Sequence, residues 1–413
     1  MRWVRGRAVV AAALGVLALA TACVDAGAED GRAGAGRADA RAGERGDAGA
    51  AGAPRVPSAP DLPGFVAGTG FASDGSGFAL FAECGKSRCR HGVAVLDRGA
   101  GAWRLGRSPL PDVTGDLGIT AGLVVLGPGR ALITEGTWPP PDGTWFTADG
   151  GRSWKRGSSE PSGTTPVVPE GGALVEDCLR TDPEGNGCER SRLAAILPDT
   201  GEYRTLATQP PLTGAVRPAG EVAEEAESGP VRGPAASLLF ASGSDPHSGR
   251  PALAVSEDRG RSWRLSRLPA AAEHGSGAHV VGAARSKVLY AVQPGVPPDE
   301  DDVKNGLLAL YRSTDGAHTW ARVWKHRKGV EPRSSLGAPV AASDGSLTIY
   351  GEAGVWRSTD GGRSFTGAGS QGIAGSVTPT PLGYLWSDPH GAGSFRISAD
   401  GVHWTSFDLG DGN

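Results

Sequence analysis

One eight-residue pattern recurs along this 413-residue chain, and its spacing limits the fold more tightly than any other feature. Thr147-Ala-Asp149-Gly-Gly151-Arg-Ser153-Trp154, Ser256-Glu-Asp258-Arg-Gly260-Arg-Ser262-Trp263, Ser313-Thr-Asp315-Gly-Ala317-His-Thr319-Trp320 and Ser358-Thr-Asp360-Gly-Gly362-Arg-Ser364-Phe365 align without gaps. Ser398-Ala-Asp400-Gly-Val-His-Trp404 is a shortened fifth copy, and Asp97-Arg-Gly-Ala-Gly-Ala-Trp103 and Asp199-Thr-Gly-Glu-Tyr203 are degenerate ones. Successive aspartates stand 40 to 59 residues apart. A period of about 50 residues means one supersecondary unit made repeatedly.

The residues around each copy say what that unit is. A short β-rich run precedes the turn, as in Leu307–Arg312, and another follows it, as in Thr319–Trp324. Two more come earlier in each unit, as in Pro339–Ser343 and Ser346–Tyr350. Four strands fill one period and leave no room for a crossover helix. The 66 glycines and 31 prolines also disfavour long helices. A lone four-stranded sheet exposes two faces, whereas such sheets packed face to face around an axis bury both. The expectation is therefore an all-β chain with a single β-propeller over 61–413 of seven four-stranded blades, six or eight being the bounds. Asp-x-Gly makes the hairpin turn between third and fourth strands, and the closing aromatic should pack beneath it. Asp149, Trp154, Asp258, Trp263, Asp315, Trp320, Asp360, Phe365, Asp400 and Trp404 are thus structural residues, because many copies of one catalytic aspartate make no chemical sense.

The pattern resembles the Asp-box, or bacterial neuraminidase repeat, S/T-x-D-x-G-x-T/S-W/F. That repeat occurs in sialidases, family 74 xyloglucanases, sortilin-type receptors and photosystem assembly factors. The resemblance covers 61–413 and implies a propeller; the families that share it do not share a reaction. A sialidase would add an Arg-Ile/Leu-Pro motif, an arginine triad, an aspartate acid/base and a tyrosine nucleophile paired with a glutamate. The nearest segment to the first motif is Pro54-Arg55-Val56-Pro57. Of the five tyrosines, Tyr203, Tyr290, Tyr311 and Tyr350 fall in strand or turn positions. Tyr384, within Leu382-Gly-Tyr-Leu-Trp386, alone holds a family-like late position. Xyloglucanase chemistry uses a cleft between two propellers, and one ring lacks the second.

The chain begins like an exported protein. Arg2, Arg5 and Arg7 precede a mostly apolar run from Ala8 to Ala20, and small residues lead to Cys23. That run rises about 20 Å as a helix, short of the roughly 30 Å hydrocarbon layer, so 1–22 reads as a signal peptide. The segment resembles a lipobox with Ala20 in place of the usual leucine, and Cys23 is the expected lipidation site; the alternative is cleavage after Ala-Thr-Ala that leaves a thiol. Residues 23–60 are rich in Ala, Gly and Arg with almost no large apolar side chain, and read as a disordered tether. In an exporting compartment the other cysteines should close locally, Cys84 with Cys89 and Cys178 with Cys188. A zinc site of Cys84, Cys89 and His91 lacks the C-x-x-C knuckle spacing.

Charge narrows the partners. The net charge is −4, and loss of the leader arginines makes it more negative, which disfavours nucleic acid. No nucleotide-binding, zinc-hydrolase or cofactor motif is present, so no cofactor and no metal are expected. The acidic run Pro297–Asp302 lacks EF-hand spacing and reads as a solvated loop, as does Glu221–Glu227. Trp138-Pro-Pro-Pro-Asp-Gly-Thr-Trp145 is either an exposed platform for sugar or peptide or a stiff loop folded onto its blade. The expectation is a monomeric, lipid-anchored, extracytoplasmic protein. It is non-catalytic and binds a glycan, peptide or envelope protein, with a sialidase-like exo-glycosidase as the alternative.

Overall fold

The computed structural model describes residues 54–410 except 87, 115–120, 137–142, 184–186, 224–236, 273–274, 276, 283–285, 301 and 390–392. The leader, Cys23 and the tether as far as residue 53 lie outside the described residues. The remaining chain is all-β, with no helix among the described residues, and forms seven sheets around one axis.

Blade 1 contains β1 (Phe65–Phe71), β2 (Gly77–Cys84), β3 (Arg88–Leu96) and β4 (Arg104–Gly106), with β5 (Val113–Thr114) added beside β3. Blade 2 contains β6 (Ala121–Gly127), β7 (Arg130–Glu135), β8 (Gly143–Thr147) and β9 (Lys155–Gly157). Blade 3 contains β10 (Thr164–Thr165), β11 (Ala173–Thr181), β12 (Cys188–Ile196) and β13 (Tyr203–Leu206). Blade 4 contains β14 (Thr213–Ala223), β15 (Ser237–Ser244), β16 (Pro251–Ser256) and β17 (Arg264–Arg267). Blade 5 contains β18 (His279–Gly282), β19 (Leu289–Pro294), β20 (Leu307–Ser313) and β21 (Ala321–Lys325). Blade 6 contains β22 (Val340–Ala341), β23 (Leu347–Gly351), β24 (Gly354–Ser358) and β25 (Thr366–Gln371). Blade 7 contains β26 (Ser376–Thr380), β27 (Gly383–Ser387), β28 (Ser394–Ser398) and β29 (Thr405–Asp408).

Six blades are antiparallel meanders in chain order. Blade 3 departs from this: its spatial order is β10-β13-β12-β11, and β10 pairs with β13 in parallel. Its meander therefore has three strands, and a segment delivered before the meander supplies the outer fourth. In six blades the aspartate turn joins the third and fourth strands, as the spacing predicts; in blade 3 the Asp199 turn joins β12 to β13.

The core lies between blades and not within them, because each sheet presents an apolar face to both neighbours. One cluster joins Phe240, Leu253 and Val255 of blade 4 to Ala291, Tyr311 and Trp320 of blade 5. Another closes the ring, joining Phe71, Ala79 and Phe81 of blade 1 to Leu385, Ile397 and Phe407 of blade 7. The segment before β1 belongs to that closure. Val56 and Leu62 are buried in it, Ala59 bridges Leu409 in parallel, and Trp103 donates from Nε1 to Pro57 O at 2.8 Å. Folded structure thus begins ahead of residue 61, where composition alone puts the boundary.

Candidate functional site

The motif turns share one hydrogen-bond pattern. In blade 2, Asp149 Oδ1 accepts the backbone N–H groups of Arg152 and Ser153, each at 2.9 Å, and Oδ2 accepts the Ser153 hydroxyl at 2.6 Å. Thr147 Oγ1 donates to Asp149 Oδ1 at 2.9 Å and accepts the N–H of Gly151 at 3.0 Å. Asp258, Asp315 and Asp360 accept from the residues four places on in the same way. In the shortened copy, His403 supplies both a backbone and a ring nitrogen to Asp400. The Ser153 hydroxyl and N–H hold the Asp149 carboxyl down at about 2, and the Thr319 hydroxyl and N–H hold Asp315 well below the carboxylate range. Such carboxylates are saturated with donors and fasten loops.

The closing aromatics pack against their own turns and against the preceding blade at once. A Cβ on Gly151 would lie 3.7 Å from Trp154 Cζ2 and one on Gly260 3.6 Å from Trp263 Cζ2, and Ala317 shares a buried cluster with Trp320. Each stands immediately before its fourth strand and inserts against the preceding blade. Trp154 packs with Phe78 and Val95 of blade 1, and its Nε1 donates to Arg107 O at 3.1 Å. Trp263 joins the blade 3 cluster, Trp320 the blade 4 cluster, Phe365 the blade 5 cluster and Trp404 the cluster containing Val340 of blade 6. Trp103 and Tyr203 from the degenerate copies do the same against blades 7 and 2. The pattern is a wedge between units, and that orientation is invisible in one repeat read alone.

Both disulfides form as the spacing predicts, Cys84–Cys89 and Cys178–Cys188. They staple the β2–β3 and β11–β12 hairpins, on the face opposite the motif turns. The zinc reading falls with them: the sulfurs are spent, and His91 Nδ1 lies 3.0 Å from Pro111 O.

Tyr384 is the residue that a sialidase-like site would need. Its side chain is buried, and its hydroxyl lies 3.0 Å from Ala341 O and 3.1 Å from Gly282 O while accepting the Ala341 N–H at 3.2 Å. Burial pushes this phenol up to about 12. A side chain of blade 7 thereby ties the inner strands of blades 6 and 5, where β22 is only two residues long. Tyr311 is equally committed, donating to Gln293 Oε1 at 3.0 Å with no exposure.

The wall of the central channel carries its own polar group. Glu176 on β11, Arg217 on β14 and His279 on β18 occupy the inner strands of blades 3, 4 and 5. Arg217 Nε stands 3.1 Å from Glu176 Oε2, and among the described residues its Nη atoms make no hydrogen bond. Arg217 is half-exposed. His279 reaches solvent, yet the surrounding wall strips hydration from its ring and the Arg217 charge opposes protonation, so its pKa is lowered. These groups form a solvent-reaching polar surface that the sequence reading missed. An arginine after a valine in a strand gives no local sign of facing an axis.

Two other sequence features settle plainly. Trp145 folds back onto blade 2, donating to Glu135 Oε1 at 3.1 Å with the Arg156 guanidinium over its ring; Trp138 lies outside the described residues. The acidic run is not wholly solvated. Glu300 is buried, accepts the Gly329 N–H at 2.7 Å and faces Arg333, and Asp299 Oδ1 lies 2.9 Å from His326 Nε2. Glu221 lies on inner strand β14 itself and accepts the Ser237 hydroxyl, while the residues after 223 fall outside the described set.

No protein-family model matches this chain, and no curated protein matches it. Solved structures are similar to it in outline. A GH74 enzyme of Niastella koreensis is 14% identical over 82% of this chain, which spans about half of that one (52%), with a TM-score of 0.24. A Hadza microbial sialidase is 11% identical, covering 84% of this chain and 66% of its own, with a TM-score of 0.35. Hydrazine synthase of Kuenenia stuttgartiensis is 14% identical, covering 84% and 96%, with a TM-score of 0.42. The activities in these names belong to those proteins; the propeller here is read from strand pairing.

Proposed function

We propose that this chain is a non-catalytic Asp-box propeller, exported and held at the cell surface by a lipid on Cys23, that binds a glycan, peptide or envelope protein at the mouth of its channel. The observation that carries the reading is the state of Tyr384. A nucleophilic tyrosine must present its oxygen to substrate and be readily ionised. This one spends its hydroxyl on the backbone of two neighbouring blades, in a site where the phenolate is disfavoured. Glu176, Arg217 and His279 offer donors and acceptors for recognition in their place. Two disulfides suit an oxidising compartment outside the cytoplasm.

The test is direct binding by the purified chain to glycans and peptides of the cell envelope, read by calorimetry, with products assayed in the same samples. Saturable binding without turnover, weakened tenfold or more by Arg217→Ala, is the expected result. Turnover of a sialoside that disappears in Tyr384→Phe overturns the reading. Anchoring is tested separately: Cys23→Ser should release the protein from the membrane fraction, and retention there would contradict the lipid.

A further inference from the structure

A second turn recurs in this chain, and its two copies differ in what faces them. Ala72-Ser-Asp74-Gly-Ser76 joins β1 to β2, and Ala342-Ser-Asp344-Gly-Ser346 joins β22 to β23. Their geometry is the same. Asp74 Oδ1 accepts the Ser76 N–H at 3.0 Å and its hydroxyl at 2.6 Å. Asp344 Oδ1 accepts the same groups of Ser346 at 2.9 Å and 2.6 Å. Each aspartate keeps its second oxygen for another partner.

In blade 6 that oxygen is taken: Arg357 Nη2 donates to Asp344 Oδ2 at 2.6 Å. Arg357 reaches it from β24, where it pairs with Thr348, two residues past Ser346. In blade 1 the corresponding residue, paired with Phe78 two residues past Ser76, is Val95. A valine cannot supply the bond. Asp74 Oδ2 therefore has no partner among the described residues, and a cavity of about 130 Å³ lies beside the turn.

We propose that this cavity binds the guanidinium of an arginine carried by a partner polypeptide. The occupant follows from the twin turn, where an arginine of the chain itself fills the equivalent place. Size agrees. At about 30 Å³ per water the space holds roughly four waters, the scale of a guanidinium and its last methylene. Phe78 and Val95 give the lining apolar surface, against which a methylene stem can lie. Asp74 is half-buried, so an ion pair there is screened less than one on open surface.

Two arginines of the chain stand near. Arg104 Nε lies 3.5 Å from Oδ2 of Asp97, the other carboxylate of the lining, and meets that charge. Arg98 also lines the cavity; it is exposed and has no partner among the described residues, and its charge opposes a guest. Asp74 is left as the unmatched charge. This site lies apart from the channel wall that bears Arg217, and its ligand class does not rest on the binding function proposed above.

The experiment titrates the purified full chain at low salt with a capped Gly-Arg-Gly peptide and its lysine and citrulline counterparts, by ligand-observed NMR. Wild type, Asp74→Asn, Arg98→Ala and Asp344→Asn are compared, with thermal melts confirming folding. Asparagine keeps the Oδ1 acceptor of the turn and removes the charge. The expected result is binding of the arginine peptide, weakened at least fivefold by Asp74→Asn, tightened by Arg98→Ala and unchanged by Asp344→Asn. Binding indifferent to Asp74→Asn, equal binding of the lysine or citrulline peptide, or no binding of the arginine peptide overturns the assignment.

Discussion

Trp320 Nε1 donates to Ser266 Oγ at 2.9 Å, and that hydroxyl donates in turn to Ala317 O at 2.6 Å. The wedge of blade 5 is thus bonded to the outer strand of blade 4, which is bonded back to the turn that carries the wedge. Trp263, the equivalent wedge one blade earlier, has a buried Nε1 with no partner among the described residues. Both indoles lose similar volume on conversion to phenylalanine, but only one loses a hydrogen bond. Trp320→Phe should therefore cost about 1–3 kcal/mol more than Trp263→Phe in urea unfolding. Equal losses would mean that the bond contributes nothing.

Tyr384→Phe keeps the ring and deletes an oxygen that serves the backbone of β22 and β18. Leaving a buried N–H and carbonyls unpaired costs about 1–3 kcal/mol. A lower midpoint in chemical denaturation, with ligand binding at the channel mouth intact, is the expected outcome. Unchanged stability would show that the hydroxyl does not tie the blades.

The motif turns require left-handed backbone, and the chain meets that need with and without crowding. Gly151 has φ +73°, and a Cβ there would sit 3.2 Å from Val95 Cγ2; Gly99 has φ +68° with open space around it. Gly99→Ala should cost about 1–2 kcal/mol from conformation alone. Gly151→Ala should cost more, because Val95 must also give way. Thermal melts of the two variants compare them directly.

Acid should loosen the ring through the turns. The Asp149 carboxyl is held at about 2, against an ordinary value of 3.8, by the Ser153 hydroxyl and N–H, and Asp360 is lowered by the equivalent Ser364 groups. A carboxyl with a depressed folded pKa stabilises the fold fully above its unfolded value. That contribution is lost as pH falls through the folded one. Melting temperature should hold down to about pH 4 and then drop toward about pH 2. Asp360→Asn should flatten the drop while lowering the plateau, as measured by calorimetry across that range.

Much of this fold is legible in the sequence because its recurring element is local. Asp, Gly and Ser/Thr within a few residues make the turn without outside help, so counting turns counts blades. What escapes the sequence depends on neighbours. The wedge of Trp154 into blade 1 needs blade 1 to be present. The outer strand of blade 3 comes from Thr164–Thr165, two residues inside a proline-rich stretch that carries no strand pattern. Val56 closes the ring from within a segment whose composition resembles a tether. Burial of Glu300 follows from Arg333 and the Gly329 N–H meeting it from the next connection, which an acidic run read alone does not reveal. The polar channel wall is the least legible part. Glu176, Arg217 and His279 lie far apart in the chain and meet only because three inner strands line one axis.

Binding without chemistry is decided by what becomes of a bound ligand. The purified chain is held for hours at high concentration with an envelope ligand that it binds, and the ligand is then examined by mass spectrometry. Recovery of the ligand unaltered, with affinity lost in Arg217→Ala and kept in Tyr384→Phe, is the predicted result. A cleaved ligand, with cleavage abolished by Tyr384→Phe in a variant that still folds, would contradict it.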